Sequence, residues 1–103
     1  MKLLTEELRA RLAALYSQEA EAGPVVYAKF FLPGTDWTWY VTEGSQQEND
    51  FLFFGFVVGL KSEFGYFLLS ELESVRTQLG LSVERDVAFR EGRLTDVLPA
   101  PEL

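Results

Sequence analysis

The sequence contains no cysteine and no histidine, and these two absences exclude most familiar catalytic and metal chemistry. Without them the chain cannot build a serine–histidine–aspartate triad, a cysteine–histidine nucleophile or the usual zinc site. No glycine-rich loop precedes any of its lysines, so a phosphate-binding P-loop is excluded as well. Enzymatic chemistry would have to rely on carboxylates, tyrosines, lysines or an oxygen-bound cation.

Long apolar runs are also missing. No stretch approaches the roughly 18 apolar residues that a membrane span requires. The longest, residues 51–60, is interrupted by Gly55 and Gly59. At the N-terminus, Glu6 and Glu7 introduce charge before the apolar segment of a secretory signal could form. Together with the absence of cysteine, these features predict a cytoplasmic protein that makes no contact with a membrane.

Positive charge is scarce, since nine basic residues stand against 16 acidic ones and the net charge is −7. This balance predicts no direct binding to nucleic acid, which requires lysines and arginines to neutralise phosphates. The acids concentrate in residues 36–73, where seven acids accompany a single base, Lys61. The same block contains ten of the 15 aromatic residues of the chain, so it combines the two features from which a binding surface could be built.

The hydrophobic pattern predicts one domain over residues 1–98 and a loose tail over 99–103. Thr5 is placed to cap a first helix, whose apolar stripe continues to Tyr16 and which should end at Gly23 and Pro24. A second helix is expected to begin with a capping box at Ser70. Its predicted buried face is Leu72, Val75 and Leu79, with Gly80 as the C-cap and one further helical turn over 95–98.

Strands are expected over 25–32, 37–43, 51–60, 66–69 and 87–89. A turn is predicted over 33–36, where Gly34 can take a positive φ, and a mobile polar loop over 44–50. Because the connections are short, neighbouring strands should pair antiparallel. The predicted fold is therefore α+β: a helix, an antiparallel β-meander of four to five strands and a second helix, with the helices packed on one face of the sheet.

Aromatic residues on alternating strand positions provide the first candidate site. Trp37 and Trp39 should point to one face of their strand and Tyr40 to the other. One hypothesis is that Tyr40, Tyr27 and Phe31, with Phe53 beside them, form an exposed aromatic face that meets a partner. The alternative is that the two tryptophans belong to the core and that Tyr40 lies under a helix or on the rim.

Carboxylates at the ends of the predicted strands provide the second candidate. Glu43, Glu48 and Asp50 should meet at one end of the sheet, where hard cations find oxygen ligands. Their spacing matches no calcium-binding loop, and a solvated polar loop is the simpler interpretation. We therefore predict no metal and no cofactor. The candidate interaction surface consists of Tyr27, Phe31, Asp36, Tyr40, Glu43, Glu48, Asp50 and Glu63.

An ordered set of segments resembles a bacterial family catalogued as domain of unknown function 2958. The segments are MKLLTEELR at the N-terminus, AKFF at 28–31, WTWYVTE at 37–43, FFGFVVG at 53–59, GYFLLSELESVR at 65–76 and GLSVERD at 80–86. The resemblance implies a small acidic single-domain protein, of a kind often encoded on plasmids and other mobile elements. It implies no activity, cofactor or catalytic residue.

The function predicted from these features is that of a non-enzymatic protein-interaction module. A sharper version is a mobile-element accessory or anti-defence factor whose acidic surface imitates nucleic acid and binds a basic host protein. One alternative is a carboxylate-based protein or enzyme that binds a small ligand or a divalent cation. The other is a plain homodimeric structural domain that pairs through an open sheet face.

Overall fold

The computed structural model describes residues 1–18 and 23–99. Its helices are α1 (Glu6–Arg11), α2 (Leu69–Ser74) and α3 (Leu94–Val97). Its strands are β1 (Val25–Val26), β2 (Ala28–Phe31), β3 (Thr38–Gln47), β4 (Asp50–Val58), β5 (Ser62–Leu68), β6 (Glu84–Arg85) and β7 (Gly92–Arg93). Five strands form an antiparallel sheet in the order β5-β4-β3-β2-β6, and β1 pairs with β7 separately. The predicted α+β fold is confirmed.

The β3–β4 hairpin is much longer than the sequence indicates. Pairing continues to Gln47 opposite Asp50, so only Glu48 and Asn49 form the turn, with Glu48 at a φ of 48°. The predicted polar loop over 44–50 is therefore wrong. The polar residues at the end of β3 lie opposite the apolar start of β4, and the ladder hydrogen bonds outweigh their low strand propensity.

Three other strand predictions need correction. The predicted strand over 25–32 is two strands with different partners, because β1 pairs with β7 while β2 pairs with β3 and β6. The strand predicted over 66–69 begins earlier, at Ser62, where it meets Val58 of β4. The last strand of the sheet is β6 rather than 87–89, because Glu84 and Arg85 are the residues that reach the edge of β2.

The first helix begins as predicted and ends early. The Thr5 hydroxyl accepts a hydrogen bond from the Leu8 N–H at 3.1 Å. Beyond Arg11 the chain turns along β3, where the Ala13 carbonyl accepts the Gly44 N–H at 3.0 Å. This pairing with the sheet replaces the continuation to Gly23 that the apolar stripe suggested.

The second helix is also shorter than predicted. Its N-terminus is held by the Glu71 carboxylate, which accepts the Leu68 N–H at 2.8 Å, and the helix ends at Ser74. Leu79 is 88% exposed, so its predicted place on a buried face is wrong. Gly80 does take a positive φ of 83°, but it closes a turn in which its N–H bonds the Thr77 carbonyl at 2.9 Å. Of the predicted tail over 99–103, residues 100–103 lie outside the described part of the chain.

The core divides into clusters on the two faces of the sheet. On one face Leu8 of α1 and Leu72 of α2 pack against Phe30, Phe53 and the other inward side chains of β2 to β5, as predicted for the two helices. On the opposite face α3, which begins one residue before the helical turn predicted over 95–98, places Leu94 against Tyr40. In the described part of the chain no helix is long and apolar enough to cross a membrane.

Candidate interaction surface

Four aromatic side chains of β4 and β5 line the sheet face opposite α1 and α2. Cross-strand pairing sets Phe54 beside Tyr66 and Phe56 beside Phe64, and directly paired residues share a face of the sheet. The ring centroids are 4.7 Å apart for Phe54 and Tyr66, and 5.2 Å apart for Phe56 and Phe64. Tyr16 lies at the end of this row, 6.4 Å from Tyr66. We call these five residues the aromatic ladder.

The aromatic ladder is open to solvent because α3 covers only the other half of this face. Phe56 packs against the cluster of Val26, Tyr40 and Leu94, which anchors the inner end of the ladder. The outer side chains remain exposed, at 48% for Phe64, 51% for Tyr66 and 59% for Tyr16. Contiguous exposed aromatic side chains are typical of sites that bind another molecule.

The outer members of the aromatic ladder belong to an edge strand. Within the described chain β5 pairs with β4 alone, whereas the other edge of the sheet is the two-residue strand β6. Edge strands are usually protected by charges, proline, a bulge or short length. The seven-residue β5 contains no proline and one charge, Glu63. Among the described strands, β5 is therefore the longer and less protected edge of the sheet.

A buried carboxylate holds the segment that carries Tyr16. Glu43 is only 3% exposed and lies opposite Phe54 in β4. Its two oxygens accept the N–H of Tyr16 at 2.7 Å and the N–H of Gln18 at 2.8 Å. No lysine or arginine of the described chain forms an ion pair with it. Glu43 therefore satisfies backbone donors and does not belong to an exposed acidic rim, so its predicted surface role is wrong.

The segment clamped by Glu43 has a second anchor and an unusual backbone. Tyr16 has a φ of 70°, a left-handed conformation that is costly for a bulky residue. The Gln18 side chain donates to the Thr42 carbonyl at 2.8 Å and accepts the Val25 N–H at 2.8 Å. These contacts fix the strained turn against β1 and β3, and they hold the Tyr16 ring at the end of the aromatic ladder.

The aromatic face predicted around Tyr40 is not exposed. Tyr40 is buried beneath α3, and burial raises the pKa of its phenol. Phe53 is buried on the opposite face, while Tyr27 and Phe31 are half-buried. The face predicted around Tyr40 is therefore not the exposed one, because α3 covers it and leaves the aromatic residues of β4 and β5 open.

The predicted surface acids do not meet in space. Asp36 and Glu63 lie at one end of the sheet, while Glu48 and Asp50 lie at the other. The ten residues of β3 between these ends span about 30 Å at the usual rise per residue. Among the described residues no group of three acids could hold a metal ion. The predicted meeting of Glu43, Glu48 and Asp50 is therefore not found.

Asp50 instead connects the β3–β4 hairpin to α2. It accepts the N–H of Phe51 at 2.8 Å and the N–H of Ser70 at 3.1 Å, and the Ser70 hydroxyl donates to its other oxygen. The Ser70 hydroxyl, followed by the Phe51 N–H, holds the pKa of Asp50 below its usual value. The role of this predicted site residue is thus structural in the described chain.

Phe54, Phe56, Phe64 and Tyr66 were absent from the predicted surface although the sequence contains a signal for them. Phe64 and Tyr66 alternate around Gly65, as expected for a strand with one aromatic face. The strand predicted over 66–69 starts too late to include Phe64, so it misses the alternation of the two rings. Tyr16 has no such signal, because its position depends on the contacts of Glu43.

Residues 3–98 match a family described as a protein of unknown function (DUF2958). No curated protein matches the sequence, and no solved structure matches the fold.

Proposed function

Since the chain belongs to the DUF2958 family, described as of unknown function, we propose from its surface that it is a non-enzymatic protein-interaction module. The binding surface is the aromatic ladder together with the open edge of β5. The partner is a protein that lays an extended segment along β5 and covers the exposed rings.

The exposure of Phe64 and Tyr66 on an unprotected edge strand is the observation that carries this proposal. A strand added at this edge would gain main-chain hydrogen bonds, which supply affinity without sequence specificity. Specificity would come from side chains that pack on the rings, because aromatic residues dominate the energetics of interface centres.

The proposal that an acidic surface imitates nucleic acid has weaker support than the proposal that a partner binds the aromatic ladder. Phosphates follow one another closely along a strand, whereas the acids of the predicted surface stand at two ends of the sheet about 30 Å apart. The predicted cytoplasmic location, the association with mobile elements and the anti-defence role stay predictions.

An affinity-capture experiment tests the proposed surface with three immobilised proteins: the wild type, Phe64→Ser and Leu79→Ser. Leu79 is a matched control because it is an apolar residue, 88% exposed, in a turn that carries no residue of the ladder. We expect a host protein that is retained by the wild type and by Leu79→Ser and lost with Phe64→Ser. If every captured protein binds both variants equally, the ladder is not the contact surface.

A homodimer is the second candidate function, and the symmetry of β5 favours it. Gly65 is the middle residue of Ser62–Leu68. Antiparallel pairing of two β5 strands about Gly65 would set Phe64 opposite Tyr66 of a second copy. Glu63 would then face Phe67 and not another acid, so no like charges would oppose each other.

Sedimentation of the purified protein distinguishes the two candidates. A homodimer predicts a molecular mass twice that of the chain at micromolar concentration, in the wild type and Leu79→Ser but not in Phe64→Ser. A monomer in all three proteins would eliminate the homodimer and leave the proposal of a different protein partner standing.

A further inference from the structure

A cleft at the opposite edge of the sheet gathers much of the protein's scarce positive charge. It has a volume of about 320 Å³ and lies between α1, the start of β2 and the segment that follows β6. Three of the nine basic residues line it, namely Arg11, Arg85 and Arg90. The apolar side chains of Tyr27 and Phe89 contribute to its walls.

Most of the acids in this cleft are already committed to other groups. Glu91 forms an ion pair with Arg11 at 2.6 Å. Asp86 accepts the Ala88 N–H at 3.0 Å and lies 4.0 Å from the Lys29 ammonium. In the described chain neither Arg85 nor Arg90 forms an ion pair. Two guanidinium groups of the cleft thus remain without an anionic partner. Glu7 is the one remaining acid among the residues that line the cleft.

Arg85 carries the decisive feature, because its Nε–H group is buried and no atom of the described chain accepts a hydrogen bond from it. Buried donors are almost always satisfied, so each exception requires an explanation. Arg85 lines the cleft, and arginine presents its N–H donors in a planar fork that matches the oxygens of a carboxylate or a phosphate. An anion in the cleft that accepts from the terminal nitrogens of this guanidinium would provide the partner that the described chain does not.

We infer that this cleft binds a small organic oxyanion, a carboxylate or a phosphate ester, whose oxygens accept from Arg85 and Arg90. An apolar or aromatic body attached to the oxyanion would lie against Tyr27 and Phe89. The site is independent of the aromatic ladder, because it lies at the β6 edge of the sheet and the ladder lies at the β5 edge.

The test is a titration of the isotopically labelled full chain with benzoate and with phenyl phosphate, followed through the backbone amide resonances of residues 85–91. We expect saturable shifts with at least one probe, and the probe that binds more tightly identifies carboxylate or phosphate as the preferred group. If neither probe produces saturable shifts in this segment, the inference is wrong.

Variants make the test specific to Arg85. Arg85→Met removes the donors while keeping an apolar stem of similar length, and it should weaken binding by about tenfold or more. The variant should melt no lower than the wild type, because it removes a buried donor that lacks a partner. Lys61→Gln removes the same charge at an exposed position outside the cleft and should bind like the wild type.

An exposed second variant keeps the inference testable if Arg85→Met fails to fold. Arg90→Gln changes an exposed side chain, so we expect it to fold and to bind more weakly than Lys61→Gln. Equal binding by Arg90→Gln and Lys61→Gln, or wild-type binding by a folded Arg85→Met, would overturn the inference.

Discussion

Replacing Glu43 by alanine should destabilise the protein more than the loss of any exposed acid. The change leaves the N–H groups of Tyr16 and Gln18 without the acceptors they now have at 2.7 and 2.8 Å. Each buried donor that loses its partner costs about 1–3 kcal/mol. Because the turn can relax and admit water, we expect a total loss of about 2–4 kcal/mol in the free energy of unfolding.

Glu43→Gln should have an intermediate effect. Its amide retains one carbonyl oxygen that can accept from one of the two N–H groups, but its NH₂ group offers the other only a second donor. The expected loss is therefore about half that of Glu43→Ala. For a domain of this size each kcal/mol corresponds to about 4–8 °C in melting temperature, so the two variants should be resolved by thermal unfolding.

Urea unfolding of Glu43→Ala, Glu43→Gln and the wild type measures these losses, with Glu63→Gln as the matched control. Glu63 is exposed on β5, and its replacement should change stability by less than about 0.5 kcal/mol. Hydrogen exchange at the amides of Tyr16 and Gln18 should accelerate in Glu43→Ala. If Glu43→Ala is as stable as Glu63→Gln, the carboxylate does not clamp this turn.

Three further outcomes follow from the geometry. Gly55→Ala should prevent folding, because a Cβ at this position would lie 2.0 Å from the Tyr40 carbonyl oxygen. Gly65→Ala should fold, because no atom lies within 4 Å of the added Cβ. Circular dichroism of the two variants tests this difference. Tyr16→Gly should be more stable than Tyr16→Ala by about 1 kcal/mol in urea unfolding, because the positive φ at this position favours glycine. If Tyr16→Ala is the more stable variant, the backbone at position 16 is not strained. The pKa of Asp50 is lower in the folded protein than its ordinary value of 3.8. The ionised carboxylate therefore stabilises the folded protein above pH 3.8, and this stabilisation is lost as the pH falls through the lower folded pKa. Asp50→Asn should therefore lose less stability on acidification than the wild type, and equal losses would contradict this assignment.

Local signals in the sequence predicted the parts of the fold that depend on neighbouring residues. The cap at Thr5 and the turn at Gly34, which has a φ of 77°, are both found where the sequence indicates them. Each depends on the chemistry of one residue and its immediate backbone. The alternation of apolar residues likewise identified the central strands and hence the α+β class.

Long-range pairing decided the features that the sequence did not reveal. The polar end of β3 is a strand because β4 lies beside it, and α1 ends early because Ala13 pairs with the sheet at Glu43. The exposed aromatic residues differ from the predicted ones for the same reason, because the position of α3 determines that Tyr40 is covered while Phe64 is exposed. Composition alone could indicate that an aromatic surface exists, but not which strands carry it.

Photocrosslinking along β5 in the native host tests the central claim most directly. A photoreactive amino acid is placed at position 64 or 66 on the aromatic ladder, or at the exposed control position 79. The aromatic ladder as the interaction surface predicts adducts of one defined mass from positions 64 and 66, and none from 79. Adducts that form equally from all three positions, or from 79 alone, would contradict it.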